Sequence, residues 1–142
     1  MAADLNFKVV ISTKDGKSYQ KEVSGDQAEN LVRKSIGDTI SGDIISLEGY
    51  EFQITGGSDK SGFPMRKGIQ SPRKRVMIGQ SVGFSGKKRG NKKQKGLLKR
   101  RTVCGERVFV KTTQINMKVL KEGKQPLGEA PAEDKPEEKS VE

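Results

Sequence analysis

From Lys60 to Gly105 the chain carries fifteen Lys or Arg and not one Asp or Glu. The flanks differ: residues 1–59 hold six basic and ten acidic side chains, residues 106–142 seven and eight, so the net charge of +10 originates entirely in the middle. So many uncompensated charges cannot be buried, because each would lose its hydration without gaining a partner. They must face solvent or a polyanion, and their mutual repulsion opposes compaction until a partner relieves it. With 142 residues, the chain has room for one modest core. One folded domain with extensions is expected.

Composition removes several classes of function. Apolar residues make up only 31% and no apolar run exceeds four residues, so neither a membrane span nor a secretory leader is expected, and the cytoplasm is the expected compartment. Cys104 is the single cysteine and there is no histidine. An internal disulfide and a zinc site are thereby excluded, and the usual neutral-pH general base is missing. The expectation is a protein that is not an enzyme, with no cofactor, no metal and no small-molecule substrate.

Hydrophobic periodicity points to a mainly β fold with one short helix. Leu5, Phe7, Val9 and Ile11 alternate, Asp15-Gly16 supplies a turn, and Tyr19, Lys21 and Val23 share one face of a second strand. Ser24 followed by Gln27 has the spacing of a capping box, and Ala28, Leu31 and Val32 predict a helix to about Ser35. Ile44, Ile45 and Leu47 read as a short strand, and Tyr50, Phe52 and Ile54 alternate cleanly. Val76 and Ile78, then Val82 and Phe84, suggest further strand pieces. Ile115, Met117 and Val119 predict a last strand that returns to the sheet and ties the chain's ends together. Brief strands broken by glycine suit a small β-barrel.

Four segments follow: a barrel-like domain over 1–84, a basic arm over 85–101, a returning-strand region over 102–121, and an acidic tail over 122–142. The arm reads SGKKRGNKKQKGLLKRR, with nine basic residues and two apolar ones, too little apolar surface to offset ordering entropy, so it is expected to be mobile when free. The tail, rich in Pro, Glu and Lys without periodicity, is expected to be disordered.

The most distinctive stretch is Ile54 to Met65, ITGGSDKSGFPM, comprising Gly56, Gly57, Ser58, Asp59, Gly62, Phe63, Pro64 and Met65. Its glycines suggest backbone angles closed to other residues, and Pro64 fixes the exit. Gly57 and Gly62 have the spacing of a phosphate-cradling P-loop, but Phe63 and Pro64 stand where that motif needs Lys then Ser or Thr. A shaped corner that presents basic side chains is the better reading, with Asp59 capping its own turn.

This motif resembles the signature of the small-subunit ribosomal protein six family of eukaryotic and archaeal type. The likeness extends back through NFKVVIS and SYQKEVSGDQAENLVRKSIGD and forward through FPMRKGIQSPRKRV, covering roughly residues 5–120. Eukaryotic members continue into a basic helix with a cluster of phosphorylatable serines, whereas this chain has an acidic tail with only Ser140. Kinase-linked regulation is therefore not carried over, and a short archaeal form is indicated.

The resemblance implies a component of the small ribosomal subunit with small-subunit ribosomal RNA and neighbouring ribosomal proteins as partners. The candidate RNA contacts are Lys60, Arg66, Lys67, Arg73, Lys74, Arg75, Lys87, Lys88, Arg89, Lys92, Lys93, Lys95, Lys99, Arg100 and Arg101. Arginines can fork onto phosphates and lysines add less directional charge. No aromatic residue lies between Ser85 and Arg101, which favours phosphate and shape contacts over base stacking. Phe63 and Phe84 are assigned to packing. A free-standing chromatin or messenger-RNA binder is the alternative that shares the charge pattern without the motif.

Overall fold

The structure, a computed structural model, describes residues 5–127. Residues 128–142, which hold most of the expected acidic tail, lie outside the described residues. Seven strands, one short helix and a single 3-10 turn make up the fold: β1 (Asn6–Ser12), β2 (Ser18–Ser24), α1 (Asp26–Leu31), β3 (Thr39–Ser41), β4 (Glu51–Asp59), β5 (Arg73–Ile78), β6 (Lys99–Cys104) and β7 (Thr112–Lys121). Five strands form a curled half-barrel in the order β2-β1-β7-β4-β3, while β5 and β6 pair as a separate ribbon.

The period-2 residues build the sheet. Phe7, Val9 and Ile11 are buried on β1, Phe52 and Ile54 on β4, and Ile115, Met117 and Val119 on β7. β7 returns to the centre of the sheet, antiparallel to β4 and parallel to β1, with Val9 opposite Ile115 and Ile11 opposite Met117. α1 seals one side through Ala28 and Leu31. On β2, Lys21 shares the inward face with Val23 and donates to the Ile45 carbonyl, so its stem packs while its charge is satisfied.

Four sequence expectations are corrected. The Ser24 and Gln27 capping box does not form: Gly25 is the N-cap, with φ 63°, and Gln27 Nε2 donates instead to Ser46 Oγ at 2.7 Å. The helix ends at Leu31 rather than near Ser35 because the next residues are taken up in pairing. Arg33 turns to φ 71°, its amide donates to the Val108 carbonyl at 2.9 Å, and Ile36 donates to Glu106 at 3.0 Å.

Ile44, Ile45 and Leu47 are not a strand. Residues Gly42–Ile45 form the 3-10 turn, closed when Leu47 donates to the Gly42 carbonyl at 2.9 Å. Gly42 permits it, since any side chain there would overlap the Leu47 carbonyl and crowd Tyr50. The Val82 and Phe84 pair is a tight turn, with Ser81 and Phe84 exchanging backbone bonds of 3.0 and 3.1 Å.

Candidate nucleic-acid interface

The distinctive motif is half strand and half turn. Gly56, Gly57, Ser58 and Asp59 are the end of β4, where register shifts flank the glycines. The expected unusual backbone angles occur at Gly62, with φ 83°, and not at Gly56 or Gly57. Gly57 is needed for a different reason. A Cβ there would collide with the Gln114 carbonyl on β7 and stand 3.0 Å from Met65 Sδ. Gly56 has open space around it.

Asp59 does more than cap its turn. Its Oδ1 accepts from the amides of Ser61 at 2.9 Å and Phe63 at 3.0 Å, while Oδ2 accepts from Arg73 Nε at 3.1 Å and Cys104 Sγ at 3.0 Å. One buried carboxylate thus joins β4, its own turn, β5 and β6. Burial opposes its ionisation, but the bonds from Cys104, Arg73 and Phe63 together outweigh that and hold its pKa below the ordinary value. Cys104 is fully buried, and that burial, followed by the hydrogen bond to Asp59, pushes its thiol up to about 12. The thiol is a structural donor with little thiolate character.

Not all fifteen cations of the acid-free block are alike. Arg73 pairs with Asp59 and lies over the Phe63 ring, 4.9 Å from its centroid. Arg66 is turned inward to Ser81 Oγ at 2.7 Å and the Val82 carbonyl at 2.9 Å, fastening the 81–84 turn. Glu106, whose pKa is lowered by the Gly68 amide and then by Gln70, closes the loop that carries Lys67. Among the described residues Arg73 is the only one of the fifteen in an ion pair.

Lys60, Lys67, Lys74 and Arg75 are exposed, as are the basic residues from Lys87 to Arg101. Within the arm, Lys88 donates to the Lys92 carbonyl at 2.8 Å, which folds Lys87, Lys88, Arg89, Lys92 and Lys93 into a small hairpin through Gly90 and Asn91, both at positive φ. Lys95 follows it. Lys99, Arg100 and Arg101 belong to β6, where they pair with Ile78, Met77 and Val76. Two clusters far apart in sequence, at 73–75 and 99–101, are therefore brought onto one ribbon.

A second core fixes that ribbon. Ile78, Phe84 and Val103 are buried together, with Ile69, Val76 and Leu97 packed around them, and Arg101 sits 5.5 Å from the Phe84 centroid. Phe84 packs in this second core, and Phe63, partly buried, packs against the main core and has Arg73 over its ring. Sequence reading passed over Arg33 and Arg107, which flank an apolar groove of about 350 Å³ floored by Val32, Val108 and Phe109. Both lie outside the acid-free block, so charge density gave no signal. Among the described residues no cluster of His, Cys, Asp or Glu could hold a metal ion, and no helix is long and apolar enough to cross a membrane.

Among the described residues, the fold thus displays an acid-free basic ribbon and hairpin beside a curled sheet. The family model described as Ribosomal protein S6e matches residues 7–131. Small ribosomal subunit protein eS6 of Methanococcus maripaludis is 46% identical over 127 residues, which cover 88% of this chain and 95% of that relative. Its counterpart in Archaeoglobus fulgidus is 45% identical with the same coverage. That of Methanosphaera stadtmanae is 38% identical over 137 residues, covering 96% and 98%. The chain belongs to the ribosomal protein S6e family, whose members are ribosomal proteins rather than enzymes.

Proposed function

We propose that this protein is a structural constituent of the small ribosomal subunit in the cytoplasm and that it holds ribosomal RNA through phosphate and shape contacts from its basic surface. The carrying observation is that, among the described residues, fourteen of the fifteen cations between Lys60 and Arg101 have no carboxylate partner. A stable monomer gains nothing from such a surface, and a phosphate backbone would satisfy it.

The division of labour is in the residues. Asp59, Arg73 and Arg66 shape and fasten the loops, while Lys74, Arg75, Lys99 and Arg100 on the ribbon and Lys87 to Lys95 on the hairpin supply phosphate contacts. Lys60 and Lys67 add charge from the loop side. The arm at 85–101 then acts as the binding element and the half-barrel as its platform. Crosslinking from Lys60 to Arg101 in purified ribosomes, with the attached RNA identified, tests the reading directly. Small-subunit RNA on these residues is the expected result. Crosslinks confined to protein neighbours, or loss of the protein from small subunits in a high-salt gradient, would overturn it.

A further inference from the structure

On its outward side the β5–β6 ribbon presents two apolar side chains that phosphate binding does not require, Met77 within β5 and Leu98 just before β6. Met77 is 57% exposed and Leu98 is 59% exposed. They lie at the same end of the ribbon: Gly79, just after β5, is two residues beyond Met77, and Leu98, just before β6, places its Cδ2 3.4 Å from where a Cβ on Gly79 would stand. Arg100 is directly opposite Met77, and Arg75 is two residues before it on the same face. The other face is satisfied by its own core of Ile78, Val103 and Phe84. An apolar patch framed by two arginines, in a stretch without a single acid, calls for a partner that is anionic yet offers apolar surface. RNA provides both, as phosphates and as the faces of unstacked bases.

We propose that Met77 and Leu98 form a base-contacting platform for ribosomal RNA, with Arg75 and Arg100 holding the adjacent phosphates. The inference rests on the RNA-binding reading above and adds contacts to bases. The methionine thioether is polarisable and packs well on aromatic rings, and Leu98 extends the apolar surface beside it. Such contacts would favour RNA that presents splayed bases over a regular duplex, giving the site a selectivity that phosphate contacts alone lack.

The test measures affinity of the full chain for small-subunit ribosomal RNA across a salt series, for wild type, Met77→Ser/Leu98→Ser and Arg75→Gln/Arg100→Gln. The apolar double variant is expected to bind about tenfold more weakly at every salt concentration with an unchanged salt slope, because no counterion is involved. The arginine variant is expected to flatten the slope. Should the double variant unfold early, Leu98→Ser alone, at a position outside the strands, gives the same comparison. Unaltered affinity in the apolar variants with a flattened slope in the arginine variant would overturn the platform and leave the electrostatic reading standing. Weakened apolar variants with an unaffected arginine variant would support the base contacts and overturn the phosphate role given to Arg75 and Arg100. Apolar-dependent binding to anionic phospholipid vesicles, with RNA binding unchanged, would assign the patch to lipid and end the proposal.

Discussion

The Asp59 carboxylate and the Arg73 guanidinium bind each other across the junction between the half-barrel and the ribbon, with Arg73 Nε 3.1 Å from Oδ2. Asp59 is buried and Arg73 is about 40% exposed along its side chain, so the two partners differ in what their loss would cost. Removing the arginine leaves a carboxylate that still accepts from Ser61, Phe63 and Cys104. Removing the carboxylate takes the acceptor from the Ser61 and Phe63 amides and the Cys104 thiol as well as from the Arg73 guanidinium.

Asp59→Ala is therefore expected to destabilise the protein by roughly 2–3 kcal/mol, the cost of unpaired buried donors. Arg73→Ala should cost about 1 kcal/mol or less, since solvent reaches the vacated site. Thermal or denaturant unfolding of both variants checks the ranking, and an equal or reversed order would place the organising role with the arginine.

The same group sets an acid response. Its folded pKa lies below the ordinary 3.8, so its contribution is complete above that value and is lost as pH falls through the lower folded pKa. Cys104 acts at the opposite end. With its thiol raised from 9.0 to about 12, its contribution is complete below pH 9 and declines as pH rises toward the folded value. Stability should thus fall below about pH 4 and again above about pH 9, and Asp59→Asn should flatten the acid limb. An acid limb of equal depth in that variant would contradict the assignment.

Buried and held as a thiol, Cys104 should resist alkylation in the native protein at pH 8 and react at the unfolded-state rate once denaturant crosses the transition. Maleimide labelling against denaturant concentration, compared with circular dichroism, checks this. Rapid labelling of the native fold would show a local opening at the β5–β6 end.

Gly56 and Gly57 should part company. Gly57→Ala forces a methyl into the Gln114 carbonyl on β7 and should cost about 1–3 kcal/mol, as overpacking does. Gly56→Ala meets open space and should shift the unfolding midpoint little. Similar losses at both positions would mean that the glycines serve conformational freedom after all.

Deleting residues 87–95 and bridging with a Gly-Ser linker removes six cations, Lys87, Lys88, Arg89, Lys92, Lys93 and Lys95. It leaves β6 intact. Stability should change by less than about 1 kcal/mol, while the salt slope of RNA binding should fall by roughly 4–5 if all six reach phosphates. A deletion extended to Arg101 takes half of β6 away and should unfold the ribbon. If the shorter deletion binds RNA normally, the hairpin is not a contact.

Much of the sheet could be read from the chain because β1, β4 and β7 each alternate with one buried face, which leaves only one register that hides the apolar set. The basic surface was legible from charge alone. Two things were not. The capping spacing at Ser24 and Gln27 was real, but Gly25 and the pairing of Arg33 to Ile36 with 106–108 took the backbone elsewhere. The membership of Lys99, Arg100 and Arg101 in a strand was hidden because an edge ribbon solvated on one face needs few apolar residues, and the partners that order it, Phe84 and Val103, lie outside the charged run.

The place of β7 carries a consequence for how the chain is made. The central strand of the sheet begins at Thr112, whereas its parallel neighbour β1 ends at Ser12. About 100 residues must be synthesised between the two, which takes roughly 5–20 s at ordinary elongation rates. Throughout that interval β1 has β2 on one side and an open hydrogen-bonding edge on the other, and the whole acid-free stretch emerges before the sheet can close. The nascent chain therefore displays its polycationic stretch to surrounding nucleic acid while its apolar face is still unsealed, the combination most prone to premature adhesion and aggregation.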